Sequence, residues 1–328
     1  MTGPRTNEGR QDWVDRVRGL ALLLVVLQHA GAYNVDLWSV PEWFQGLRNM
    51  LAPFRMPLLM MLAGLFLERS LRKGTAPFLK VKLRQVVWPF LVWTVISLVL
   101  TGEAERLLEV KVWRGGTYLW FLPFLFAYFL VALLVRRVPY LLVAMVALVI
   151  SILARDGSRH GEQLFVLMAY FFIGAWLGRD LPRLSAWLTW RNMLLLAPFA
   201  LLAAVASMQS GRVKFNPLWL PVVVPAVLFL FALVHQLKAG AATRVLEFVG
   251  RQSVVFYVVN SPVYMILVPW LAARDMPPHA ILGISLLVAL VATTVLALAK
   301  ARTAAVAALF EFPRSGRAAV PGIARADA

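Results

Sequence analysis

An all-α, polytopic membrane fold with about ten transmembrane helices and both termini cytoplasmic is what the sequence predicts, on three observations. Hydrophobic residues make up 61% of the 328 and charged residues 15%, with a mean hydropathy of +0.74, too apolar for a soluble domain of ordinary composition. Apolar runs of near-spanning length recur along the whole chain. Lysine and arginine concentrate on alternate connections between those runs.

The runs fall at 18–34, 50–67, 86–101, 118–135, 138–153, 164–178, 193–209, 218–237, 252–271 and 280–299. A tight RRVPY break at 136–140 separates the fourth from the fifth. An even number of spans puts both chain ends on one side. With the N-terminus inside, inner segments carry about two thirds of the 33 Lys and Arg, so a cytoplasmic N-terminus is predicted. The net charge of +17 is then topological, and no nucleic-acid partner follows from it. The domain reading is a cytoplasmic tail over 1–12, a transmembrane domain over 13–300, and a cytoplasmic tail over 301–328. The end of the second tail, EFPRSGRAAVPGIARADA, is rich in Pro, Gly and Ala without periodicity and predicts disorder. Polar residues precede the first run and no small-residue cleavage site follows it, which argues against a cleaved signal. Of the outer segments, 35–49 and 101–117 are the longest. The second sets Glu103, Glu105 and Glu109 against Arg106, Lys111 and Arg114 and reads as a short interfacial helix.

The first run, WVDRVRGLALLLVVLQHAGAY at 13–33, carries the two ionisable groups of most interest, Arg18 and His29. At about 100° per residue they return to one helix face, roughly 16 Å apart along the axis. A cation or an imidazole in hydrocarbon costs at least a few kcal/mol, so such groups face a bundle interior or a wet cavity. The same pair also reads as an anchoring cation and a hydrogen-bonded packing histidine. His29 is the intramembrane histidine; His160 and His279 fall in outer loops and His235 at an inner helix end, and no ligand spacing suggests a metal site. There are no cysteines, which excludes thiolate metal sites and an acyl-cysteine intermediate.

Arg55 lies inside the second run between Pro53 and Pro57, where a broken or kinked helix is expected and an anion contact or a snorkelling cation are both consistent. The inner segment 68–85 concentrates six cations, which either fix topology against anionic lipid headgroups or offer a surface to a polyanionic cofactor. Its last cation, Arg84, leads into VVWPFLVW, where Pro89 disturbs the helix. Trp120 opens the fourth span among aromatics of the interfacial kind. Ser253, Tyr257 and Asn260, at spacings of four and three, share one face of the ninth and serve either packing or a site.

These stretches together resemble the integral-membrane acyltransferase-3 family. Arg18 and His29, in DRVRGLALLLVVLQHA, are similar to the family's arginine and histidine of the first membrane helix. RMPLLMMLAGLFL, the Arg84–Pro89 stretch, LWFLPFLFAYFL, FFIGAWLG and the Gly-Arg-x-Ser pattern at 250–253 continue the likeness in order, from about 13 to 263. The resemblance implies acyl transfer from cytoplasmic acyl-CoA, acetyl-CoA or succinyl-CoA, to a cell-envelope carbohydrate or lipid-linked glycan, at a bacterial-type cytoplasmic membrane. It implies Arg18 and His29 as the essential pair, Arg84 as a CoA contact, and motif positions at Trp120, Gly250, Ser253 and Tyr257. The sequence departs from the pattern at Ala63, where a serine is common, at Arg55, where several members carry histidine, and at Asn260, where a histidine often stands.

Acyl transfer from a thioester needs a base for the acceptor hydroxyl and a stabiliser for the oxyanion, and His29 is the base at membrane depth. Arg18, about three turns away, is placed to hold CoA phosphate. With no outer domain in the reading, the acceptor enters the membrane domain or meets a separate periplasmic partner protein. A transporter or flippase of an anionic solute or lipid also fits ten helices with intramembrane Arg55 and His29, and predicts flux without CoA consumption. A non-catalytic relative of the acyltransferase fold is the third reading, drawn from Ala63 and Asn260.

Overall fold

The computed structural model describes residues 12–33, 40–154, 159–211, 213 and 215–313. Helices α1 (Asp12–Ala32) and α2 (Glu42–Leu65) pack as an antiparallel pair; α3 (Leu67–Leu71) and α4 (Thr75–Lys82) then lead through a π-helical turn, Leu83–Val87, into α5 (Trp88–Leu100). A 3₁₀ turn at Ala104–Leu108 and α6 (Val110–Trp113) bridge to α7 (Phe121–Leu134) and α8 (Tyr140–Leu153). There follow α9 (Arg159–Leu177), α10 (Leu181–Trp187), α11 (Trp190–Ser210) and α12 (Leu220–His235). The chain closes with α13 (Ala241–Arg251), α14 (Ser253–Ala272), α15 (Pro278–Arg302) and α16 (Ala304–Ala308).

Every regular element among the described residues is helical, and each of the ten apolar runs lies on a helix. Six helical stretches are long and apolar enough to cross a membrane: Thr75–Leu100, Gly161–Trp187, Trp190–Ser210, Pro217–His235, Ser253–Ala272 and Pro278–Arg302. Helices α7 and α8 are apolar but have only 14 residues each. Helices α1 and α2, with 21 and 24 residues, have the length but carry charges within it. The multi-pass architecture follows; the segment 101–117 forms two short helical turns, with Arg106 bridging Glu103 and Glu109.

Helix α1 is the central post, packed against α13, α2, α14, α15 and α12. Its crossing with α13 is close, because a Cβ on Gly250 would collide with the carbonyl oxygen of Asp15 and one on Gly19 with that of Leu246. Arg16–Glu247 (2.8 Å) and Arg251–Asp15 (3.6 Å) tie the same two helices. Helix α2 packs as closely on α9, since Cβ atoms on Gly64, Gly174 and Gly178 would strike backbone oxygens of Phe171, Met61 and Leu65. Without a hydrophobic drive between helices in lipid, small residues that admit backbone-to-backbone contact supply the van der Waals attraction.

Of the break or kink expected at Pro53 and Pro57, the break is not formed: α2 is continuously helical from Glu42 to Leu65. Pro53 has no N–H for the carbonyl of Asn49, one turn back. The hydroxyl of Ser207 on α11 donates to that oxygen instead, at 2.7 Å. Pro262 likewise strands the carbonyl of Val258, and the Tyr118 hydroxyl donates to it at 2.8 Å. Ser207→Ala, which leaves a buried carbonyl unsatisfied, is expected to destabilise the protein by about 1 kcal/mol. The check is a lower thermal midpoint in detergent with unchanged helix content.

The first part of the C-terminal tail is folded against the bundle. Helix α15 continues to Arg302, α16 follows, and Phe310 is buried against Trp93. Trp88 Nε1 donates to the Ala308 carbonyl (2.6 Å) and Trp93 Nε1 to that of Leu309 (3.1 Å), so residues 304–313 form a strap over α5. The disorder expected further on falls on 314–328, and most of the 1–12 tail on 1–11, both outside the described residues.

Candidate active site

Two neighbouring constellations sit along α1 and α14. The first is a cavity of about 310 Å³ at the N-terminal end of α1, with Arg18, Lys82, Ser253 and Tyr257 among its lining residues. Arg18 reaches it from α1, held by Asp15 at 3.2 Å, and Lys82 comes from the last turn of α4 with its ammonium 3.9 Å from the centre of the Phe129 ring. Gln85 and Val86 of the π turn face the same space. A π turn inserts one residue into the helical register and is often found where a side chain must be re-aimed at a site. Leu59, Leu62 and Ala63 of α2 and Leu122 and Leu125 of α7 make the deeper wall apolar. The cavity therefore has two cations and an apolar interior, with no carboxylate among its lining residues.

The second constellation is centred on His29, farther along α1. Its Nδ1 lies 2.7 Å from Asn260 Oδ1 and 2.9 Å from Ser261 Oγ, both on α14 and both fully buried. Asn260 Nδ2 donates to the carbonyls of Phe256 and Tyr257. The amide can face only this way, because turning it over would set its oxygen against those two carbonyl oxygens. Asn260 Oδ1 is thus an acceptor, His29 Nδ1 carries the proton, and the ring's lone pair sits on Nε2. Asn260 and Ser261 both engage the Nδ1 side of the His29 ring.

Helices α1 and α14 connect the two. Arg18 to His29 is eleven residues on α1, roughly 16 Å, and Ser253 to Ser261 is eight on α14, roughly 12 Å. Tyr257 stands between them, buried, with its hydroxyl donating to the Tyr118 carbonyl at 3.1 Å.

The structure thus brings Arg18, Ser253 and Tyr257 to one cavity and His29 and Asn260 to one hydrogen-bonded cluster. Arg84 is not among the cavity residues. It donates to the Phe312 carbonyl (2.6 and 3.2 Å) and lies 3.8 Å from Glu311, in a groove under the C-terminal strap. Trp120 caps α7 among Phe121, Phe124 and Phe215; it is not itself among the cavity-lining residues, although Phe121 is. Arg55 is buried on α2 and donates to Gln28, next to His29. Sequence reasoning did not single out Lys82 from the six cations of 68–85, and it missed Ser261, whose signal was its adjacency to Asn260 on a polar face.

A family model described as an acyltransferase domain matches residues 11–299, most of the chain and both constellations. The chain belongs to the acyltransferase-3 family. No curated protein and no solved structure matches it. Both the cavity and the hydrogen-bonded His29 of this multi-pass membrane acyltransferase lie within the matched region. Ala63, where the sequence departs from the pattern, lines the cavity and makes its wall less polar than a serine would. The departure at Asn260 is the group that orients His29.

Proposed function

We propose that this acyltransferase moves an acyl group, acetyl or succinyl, from cytoplasmic acyl-CoA to a hydroxyl of an envelope carbohydrate or lipid-linked glycan. In this reading the protein spans the cytoplasmic membrane ten times with both termini inside, so the Arg18 cavity opens inward and His29 lies toward the outer half. The observation that carries it is the Asn260–His29 hydrogen bond, which engages Nδ1 and leaves Nε2 as the ring nitrogen to exchange a proton.

Arg18 and Lys82 supply charge for the CoA phosphates, and the apolar wall from Leu22 to Tyr257 suits the pantetheine arm. His29 Nε2 takes the proton of the acceptor hydroxyl as its oxygen attacks the thioester carbonyl. The tetrahedral oxyanion collapses, the C–S bond breaks, and the imidazolium returns its proton to the leaving CoA thiolate. An ester and free CoA result, and His29 is neutral again. The Nδ1–H bond to Asn260 is kept throughout and favours the transient imidazolium. With no cysteine in the chain, direct transfer or an acyl-histidine are the covalent options.

The test is release of CoA from labelled acetyl-CoA and succinyl-CoA by purified protein in lipid discs, with and without envelope extract. Turnover by wild type and none by His29→Ala supports the proposal and names the donor. No turnover of either donor by folded wild type would overturn it. Arg18→Ala and Lys82→Ala are each expected to raise the KM for acyl-CoA by about 10–100-fold, the loss of one charge-assisted contact of about 1.5–3 kcal/mol. An unchanged KM in both would remove the cavity from the donor path.

A further inference from the structure

Helix α2 carries two arginines that neither constellation uses. Arg48 and Arg55 are seven residues apart, on one face, and are buried to 8% and 4% exposure. The other buried or half-buried arginines among the described residues have acidic partners: Arg16 pairs with Glu247, Arg18 with Asp15, Arg84 with Glu311 and Arg106 with Glu103 and Glu109. Arg48 and Arg55 have none within 4.0 Å among the described residues. Arg48 Nη1 donates to Gln45 Oε1 at 2.8 Å and its Nε to Gln28 Oε1 at 3.3 Å, and Arg55 Nη1 donates to that same Gln28 oxygen. Neutral amide oxygens orient a guanidinium but do not neutralise it. Each guanidinium group has five N–H donors, so most of the ten are not engaged by these bonds.

Buried cations in proteins are paired or face a ligand, because desolvating an unpaired charge is costly and two like charges sharing one acceptor add repulsion. The fold makes room for this arrangement: the Arg48 side chain lies across Gly31, where a Cβ would collide with it. The shared acceptor, Gln28, directly precedes His29, and Arg55 lies one turn beyond Leu59 of the cavity wall. Planar guanidiniums in pairs suit oxyanions, which accept two parallel N–H bonds from each.

We propose that Arg48 and Arg55 bind an oxyanion of the acceptor, phosphate or carboxylate, and so hold the acceptor hydroxyl beside His29. The assignment of that oxyanion to the acceptor rests on the acyl-transfer reading; the anion site itself does not. Two acceptor chemistries carry such a group, a polyprenyl phosphate in the membrane and a uronic-acid carboxylate on a sugar.

The experiment is equilibrium binding of labelled farnesyl phosphate and of a labelled glucuronate disaccharide to the full-length protein in phosphatidylcholine discs, without acyl-CoA. Farnesol and a glucose disaccharide serve as neutral counterparts. Saturable binding of one anionic probe but not its neutral counterpart is expected, weakened at least tenfold by Arg48→Gln and by Arg55→Gln and unaffected by Gly283→Ala, a position with open space around it. Farnesyl phosphate binding identifies a lipid phosphate as the source, and glucuronate binding a sugar carboxylate. Arg48→Lys and Arg55→Lys, which keep the charge but lose the planar fork, are the second variants should a glutamine variant fail to fold; a several-fold loss is expected. Binding of neither probe by folded wild type, or equal binding by all four variants, would overturn the proposal. Probe binding by a protein that releases no CoA would leave the anion site standing and remove the acyl-transfer reading.

Discussion

Replacing His29 by alanine is expected to lower acyl transfer by about 10²–10⁴-fold, the usual contribution of a positioned general base. The loss should appear in kcat, with the KM for acyl-CoA little changed, because Arg18 and Lys82 lie in a separate cavity about three turns away. Asn260→Leu tests the tautomer argument directly. It removes the acceptor 2.7 Å from His29 Nδ1 and leaves only Ser261 Oγ, which donates as readily as it accepts, so the ring is no longer held with its lone pair on Nε2, and roughly a 10²-fold fall in kcat is expected. Asn260→Asp retains an acceptor at the same place and should keep more activity than Asn260→Leu. A packing role for Asn260 predicts the reverse, since burying a carboxylate at this position is costlier than burying a leucine. Comparing kcat and the thermal midpoint for the two variants separates the alternatives.

Gly64→Val is expected to be the most damaging structural substitution, at about 3 kcal/mol or more. Its Cβ would meet the carbonyl oxygen of Phe171 and the backbone at Gly174 and Ala175, and backbone cannot move aside as a side chain can. Helices α2 and α9 would have to separate along their whole contact. Helix α2 carries Leu59, Leu62 and Ala63 to the cavity and Arg48 and Arg55 to Gln28, so the site would shift with it. Loss of monodisperse protein on size-exclusion chromatography, or a large drop in thermal midpoint, is the expected readout. Gly283→Ala on α15, with nothing within 4 Å of the new Cβ, is the comparison and should be neutral or slightly stabilising.

Much of the fold was legible because membrane helices announce themselves by length and composition. All ten apolar runs lie on helices, and the Arg18–His29 spacing placed both groups on one central helix. What the sequence did not show are partners remote along the chain. Helix α2 survives Pro53 through Ser207, 158 residues away from the carbonyl it satisfies, and no local pattern could reveal that donor. Arg84, which the resemblance implies as a CoA contact, also bonds a carbonyl 228 residues later, and no local pattern shows that partner. Lys82 was hidden among neighbouring cations, since a charge count cannot tell the one that a helical turn aims inward. Asn260 was read as a departure from a pattern; its chemistry became apparent only with His29 beside it, across 231 residues of chain.

The strap over α5 bears on how the protein is made. Ribosomes deliver the chain from its N-terminus, so Trp88, Trp93 and Arg84 enter the bilayer more than 200 residues before the carbonyls they will bond exist. Until then these donors must be served by lipid headgroups, water or the insertion machinery. Seating Phe310 beside Trp93 is accordingly among the last acts of biogenesis, and a nascent chain halted before that residue would leave the third span without its finishing partner.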